Sequence, residues 1–99
     1  MIEPTFPLRH LRPKFPLGQV VMTANAMRTL DIEDIHAGLK RHAWCDWGDV
    51  NAHDRDANDS AIWGGGRLLS VYHGRGAVEF WIITEGDRTA TTVLLPDDY

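Results

Sequence analysis

The sequence predicts an α+β domain in which a short N-terminal strand and two or three helices precede a three-stranded antiparallel meander packed on those helices. Three observations carry this expectation. Apolar residues at Ile32, Ile35, Leu39 and Ala43 follow helical spacing. After Gly64-Gly65-Gly66 the period changes to two. The strand-like runs beyond that point are broken at Gly74-Arg75-Gly76 and Gly86-Asp87-Arg88, both short enough for hairpins.

Taken in order, the first fourteen residues read as an extended arm. Four of the five prolines (Pro4, Pro7, Pro13, Pro16) fall in the first sixteen positions, and proline fixes φ and removes a backbone donor. Residues 1–14 hold the three cations Arg9, Arg12 and Lys14 against Glu3, so the arm is basic at +2 and residues 15–99, the expected single domain, carry −6. The arm's prolines and charges predict a segment that adds little to the core beyond Phe6, Leu8 and Leu11 and is dispensable for folding.

Gln19-Val20-Val21-Met22 reads as a strand. Thr23 then caps a short helix running through Thr29, with Ala24, Ala26 and Met27 as good helix formers. Asp31 is a second N-cap, with Asp34 in the first turn, where a carboxylate suits the helix dipole, and Lys40, Arg41 and His42 near the C-terminal end, where cations do. A third helix starts from Asn51 or Asp49 and runs to about Trp63, with Ala57, Ala61 and Ile62 inward and Asp54, Asp56 and Asp59 mostly outward. The joint before it predicts Trp47 in the core and Asp49 as the capping carboxylate. The strands follow at Arg67–His73, Ala77–Glu85 and Thr91–Leu95, joined at an edge by the strand near residue 20.

Composition narrows the function classes. The 43% hydrophobic and 24% charged content is that of an ordinary folded domain, and a net charge of −4 has the wrong sign for general nucleic-acid binding. Cys45 is the only cysteine, which excludes an intrachain disulfide and cysteine-rich zinc sites and favours a reducing compartment. The chain starts without a basic region followed by an apolar run. A cytoplasmic, unanchored protein is the expectation.

Several motifs invite chemistry and fall short of it. Asp54-Arg55-Asp56-Ala57-Asn58 begins like a calcium loop, but Asp59 stands where the turn needs glycine and Gly65 where the bidentate glutamate belongs. His36 and His42 point to different sides of one helix, so they are not a metal-binding pair. His42, Cys45 and Asp46 are close enough in sequence for a thiolate–imidazole pair, although a half-buried structural cysteine is the simpler reading. The glycine run leaves a helix for a strand, whereas phosphate cradles lead into a helix. This reading assigns no catalytic residue, no metal and no cofactor.

The segments Trp47-Gly48-Asp49, Asp56-Ala57-Asn58-Asp59, Gly65-Gly66-Arg67-Leu68-Leu69-Ser70-Val71-Tyr72, Trp81-Ile82-Ile83-Thr84-Glu85, Asp87-Arg88, Thr91-Thr92 and Leu94-Leu95-Pro96 resemble a family of small bacterial proteins carried on plasmids and other mobile elements. Its members bear labels such as "plasmid-related protein" and, in some cases, modification subunit of a type I restriction enzyme. The resemblance runs from about Phe15 to Tyr99. It implies a mobile-DNA setting and brings no catalytic residue with it. The restriction label fails a physical test, because an adenine methyltransferase needs a large doubly wound cofactor domain and an Asn/Asp-Pro-Pro-Tyr/Phe loop, and this sequence has neither.

The expected function is therefore a non-enzymatic accessory or interaction protein of bacterial mobile DNA, regulatory or counter-defence in role, acting through a protein partner or as a homodimer. Its expected contact surface is the second face of the central strand, where Glu79, Trp81, Ile83 and Glu85 alternate with the inward Val78, Phe80 and Ile82. The alternative is a small hydrolase or metal-dependent enzyme using the acidic 46–59 segment with His53, His42 or Cys45, for which Asp46, Asp49, Asp54 and a histidine have to converge in one pocket. A third reading has Arg9, Arg12 and Lys14 touching nucleic acid.

Overall fold

The structure, a computed structural model, describes residues 1–4 and 11–99. Arg9, Phe6 and Leu8 of the arm lie outside the described residues. In chain order the elements are β1 (Gln19–Met22), α1 (Ala24–Thr29), α2 (Ile32–Ala43), α3 (Ala52–Gly64), β2 (Leu68–His73), β3 (Glu79–Thr84) and β4 (Ala90–Leu94). The α+β class is as the sequence predicts. Among the described residues no helix is long and apolar enough to cross a membrane.

The helix starts follow from local chemistry. Thr23 Oγ1 accepts the Ala26 amide at 3.1 Å, Asp31 Oδ1 the Glu33 amide at 2.8 Å, and Asn51 Oδ1 the Asp54 amide at 2.8 Å, each satisfying a donor the helix leaves open. Asn51, and not Asp49, therefore caps α3. The Asp49 backbone is already committed, donating its amide to the Val71 carbonyl at 2.8 Å. Ile32 is exposed, contrary to expectation. The buried stripe of α2 is Ile35, Gly38, Leu39, His42 and Ala43, while its first turn holds the β2–β3 connection, with Asp31 pairing with the Arg75 guanidinium at 2.9 Å and Asp34 accepting the Arg75 amide at 2.9 Å.

The meander β2–β3–β4 is antiparallel, and β1 joins it on the β4 edge in parallel register, giving the order β1-β4-β3-β2. Strand alternation puts Val20, Met22, Leu68, Tyr72, Phe80, Ile82 and Val93 on one face, where they share a core with Ala26, Ile35, Leu39 and Ala61 of the three helices. The approach is close: a Cβ on Gly38 of α2 would stand 2.9 Å from the Phe80 ring. Both sheet edges are covered. Ile2 pairs antiparallel with Met22 outside β1, and Gly48 bridges to Val71 outside β2, with the Val71 amide donating to the Trp47 carbonyl at 3.0 Å.

Next to that bridge, Asn58 of α3 turns inward, while the expected Ala57 is exposed. Its side-chain amide donates to the Leu69 carbonyl at 2.8 Å and its carbonyl accepts the Leu69 amide at 3.1 Å, so one side chain completes the hydrogen bonding of a strand residue. Asn58→Ala is expected to cost about 1–3 kcal/mol. Asn58→Asp should cost more, because it sets a buried carboxylate charge against the Leu69 carbonyl oxygen. Chemical denaturation of the two variants checks the order.

The described part of the arm is docked. Leu11 is 0% exposed and belongs to the main core, its carbonyl accepts Trp44 Nε1–H at 3.0 Å, and the Lys14 amide donates to the Ala43 carbonyl at 2.8 Å. This departs from the expectation that residues 1–14 add little to folding, because the apolar Leu11 fills space at the C-terminal end of α2. Leu11→Ala is expected to lower stability by about 2–5 kcal/mol, the range for a buried leucine, in urea melts. Truncation to Phe15 should cost at least as much.

Candidate functional site

His42 lies on the apolar stripe of α2, one turn after Leu39, and is fully buried. Its Nδ1 is 2.6 Å from Ser70 Oγ of β2 and its Nε2 is 2.9 Å from Thr84 Oγ1 of β3. The chain of contacts continues from Thr84 Oγ1 to Thr91 Oγ1 of β4 at 2.7 Å, and Thr91 Oγ1 donates to the Leu17 carbonyl at 2.7 Å. Each hydroxyl has one proton, so this last bond fixes the rest. Thr91 must accept from Thr84, Thr84 from His42 Nε2–H, and His42 Nδ1 must accept from Ser70. The imidazole is then the neutral Nε2–H tautomer.

Burial is the main cause of that neutrality, with the positive charge of Arg88 assisting, and together they lower the His42 pKa to about 3. The rings of Phe15 and Trp47 stand edge-on to it, with centroids at 5.4 and 5.6 Å. The Ser70–His42 pair has the atoms of a hydrolase couple but neither the access nor the order. Both residues are fully buried, and the second ring nitrogen meets a threonine instead of a carboxylate.

The other residues singled out by the sequence go to separate partners. Burial raises the Cys45 thiol pKa, with Lys14 opposing and Asp59 adding to the rise, so the thiol stays protonated, and the imidazole three residues before it is turned to Ser70 and Thr84. Asp46 pairs with Arg41 at 2.8 Å, and the hydrogen bond from that guanidinium holds its carboxyl below the ordinary range. Asp49 accepts from His73 Nδ1 at 2.7 Å instead of capping α3. Asp54 lies beside exposed His53 at 3.5 Å, and Asp59 accepts Trp47 Nε1–H at 2.9 Å. Trp47 is in the core as expected. The structure does not bring Asp46, Asp49 and Asp54 together with a histidine, and among the described residues no group of three or more His, Cys, Asp or Glu is placed to hold a metal.

The expected contact face on β3 is partly closed by the chain itself. Ile83 is buried, and half-buried Trp81 packs its ring T-shaped on Tyr99 at 5.6 Å and donates Nε1–H to Glu79 at 2.9 Å. Tyr99 in turn bonds to Arg67. The turn Pro96–Asp98 that carries Tyr99 is held by Asp98, which accepts from Thr23 Oγ1 at 2.6 Å and Asn25 Nδ2 at 2.7 Å. Glu79 and Glu85 remain exposed on this side.

Among the described residues the most exposed aromatic side chain, Trp63, lies elsewhere, near the C-terminal end of α3, and Trp44 is half-exposed at the end of α2. Trp63 is 91% exposed and Trp44 48%. A hollow of about 400 Å³ is lined by Lys14, Cys45, Asp59, Ile62 and Trp63, and a second of about 310 Å³ by Lys40, Arg41, Trp44 and Asp46. An indole buries roughly 150–250 Å² when covered, worth on the order of 4–6 kcal/mol of transfer free energy at the usual area coefficient. The sequence held the signal for Trp63: two residues after buried Ala61 it points about 200° away around the helix, off the packed side.

Fold and site together define an α+β domain with a closed polar relay inside and an open aromatic patch outside. No family model, no curated protein and no solved structure matches the chain.

Proposed function

We propose that this chain is a non-enzymatic accessory protein that acts by protein–protein contact, in the bacterial mobile-DNA setting its sequence resemblance implies. The observation that supports this reading is Trp63, an indole 91% exposed in the wall of a hollow it shares with Lys14, Cys45, Asp59 and Ile62. Tryptophan is among the residues that most often anchor interfaces, and covering such a ring supplies binding free energy that scattered polar contacts do not. The enzyme alternative lacks comparable support. His42 is neutral and fully buried, the Cys45 thiol is held protonated, and the carboxylates of the 46–59 segment are dispersed among different partners.

Site-specific photocrosslinking tests the reading. A benzophenone amino acid placed at position 63 is expected to trap one discrete protein in the host cell, whereas the same group at exposed Ala57 of the same helix traps none. Identical products from both positions, or none from position 63, would refute contact through this surface.

A further inference from the structure

We infer that the patch at the C-terminal ends of α2 and α3 is a docking site for an acidic peptide segment bearing a large apolar side chain, supplied by the partner protein. This inference rests on the contact reading above and adds the partner's chemistry. The patch is two hollows linked through Lys14, which lines one and stands over the Trp44 ring that lines the other; each is large enough for one bulky side chain, and their walls include Trp44, Trp63, Ile62 and Cys45.

The charges around these hollows are not equally available. Arg41 is committed to Asp46, and Asp59 accepts the Trp47 indole. Lys14 and Lys40 are exposed and make no ion pair among the described residues. Lys14 holds its ammonium 5.0 Å from the centre of the Trp44 ring, and Lys40 precedes Trp44 by one helical turn in the wall of the other hollow. Aromatic walls with, at each hollow, an ammonium group that makes no ion pair among the described residues are complementary to an apolar anchor with carboxylates near it.

A nucleic acid fits less well. It would lay an unbroken row of phosphates against Asp46 and Asp59 as well as the lysines, whereas a peptide can place its few carboxylates at Lys14 and Lys40 alone.

Selection of a phage-displayed random peptide library on the immobilised full chain tests the inference, with enriched peptides then synthesised and titrated by fluorescence anisotropy. The expected peptides carry two or more carboxylates around a Trp, Phe or Leu, and they bind more weakly as salt is raised. Trp63→Ser is expected to weaken them about tenfold or more, as anchor truncations do, and so is the pair Lys14→Glu with Lys40→Glu. Both changes lie at exposed positions, and circular dichroism confirms that the variants stay folded. Neutral or basic peptides, peptides insensitive to these variants, or no enrichment at all would overturn the inference. A crosslinked protein at position 63 would still stand in those cases, so the contact reading fails or survives separately. Binding of oligo-dT or self-association that Trp63→Ser abolishes would overturn the peptide occupant in favour of a nucleic acid or a second copy.

Discussion

The protein is expected to lose stability as the pH falls from about 6.5 towards 3, by on the order of 4 kcal/mol from His42 alone. The folded-state pKa of about 3 lies below the ordinary value of 6.5, so between these limits the unfolded chain binds a proton that the native state refuses. The contribution is fully present above the unfolded value and drains away at about 1.4 kcal/mol per pH unit below it. For a domain whose total stability is about 5–15 kcal/mol, a loss of that size brings unfolding within reach of mild acid. The carboxyls of Asp46 and Asp98, held low by hydrogen bonds from Arg41 and from Thr23 and Asn25, act in the same direction but only as the pH drops below the carboxylate range. His42→Leu isolates the effect. At neutral pH it should cost about 2–4 kcal/mol, because the Ser70 and Thr84 hydroxyls lose their partner. Urea melts across the pH range should show the slope between pH 6.5 and 4 reduced by the His42 share. A variant with the same slope as the original protein would contradict the assignment.

Gly48→Ala is expected to cost about 3 kcal/mol or more, the second large effect. Gly48 has a φ of +73°, and a Cβ there would lie 2.1 Å from the Val71 carbonyl oxygen and 2.7 Å from the Tyr72 ring. The strain of the left-handed backbone and the overlap with a strand act together. Neither neighbour can yield cheaply. Val71 is bonded on both sides to Trp47 and Asp49, and Tyr72 donates its hydroxyl to the Asp46 carbonyl at 2.5 Å. Gly76→Ala is the control, since it shares a positive φ of 68° but has nothing within 4 Å of the added carbon. It should cost about 1 kcal/mol, from the backbone alone. Equal losses in the two variants would show that the 47–49 bridge does not hold the β2 edge.

The features legible in the sequence are those governed by near neighbours. Thr23 and Asp31 cap helices because a short polar side chain there reaches an amide two or three residues on, and the hairpin breaks at 74–76 and 86–88 are closed by bonds between near neighbours, Ala77 to Gly74 and Arg88 to Glu85. The inward row Phe80 and Ile82 follows from strand alternation. What could not be read depends on contacts distant in sequence. The parallel pairing of β1 with β4 joins Gln19 to Ala90 without a local signal. Asn58 displaces Ala57 from the packed side because the Leu69 backbone beside it needs a donor and an acceptor, which alanine lacks. Leu11 is readable as one of the arm's few apolar residues, but its seat against the end of α2, which ties the arm into the fold, has no local signal. The closed relay was half visible: His42 continues the stripe of Ile35 and Leu39, which marks it as buried, but its partners Ser70, Thr84 and Thr91 lie on three strands and carry no spacing that would single them out. Trp81 and Ile83 were readable as sharing a face, but the Pro96–Tyr99 segment that packs on Trp81 was not.

The central claim is that His42, the histidine that joins Ser70 and Thr84 inside the core, is a neutral structural group. Long-range proton–nitrogen correlation of the imidazole by NMR tests this most directly. The account predicts that His42 carries its proton on Nε2, leaves Nδ1 bare, and keeps this state unchanged from about pH 8 down to about pH 5. An imidazole at position 42 protonated on Nδ1, or one that titrates near the ordinary histidine value in the folded protein, would contradict it.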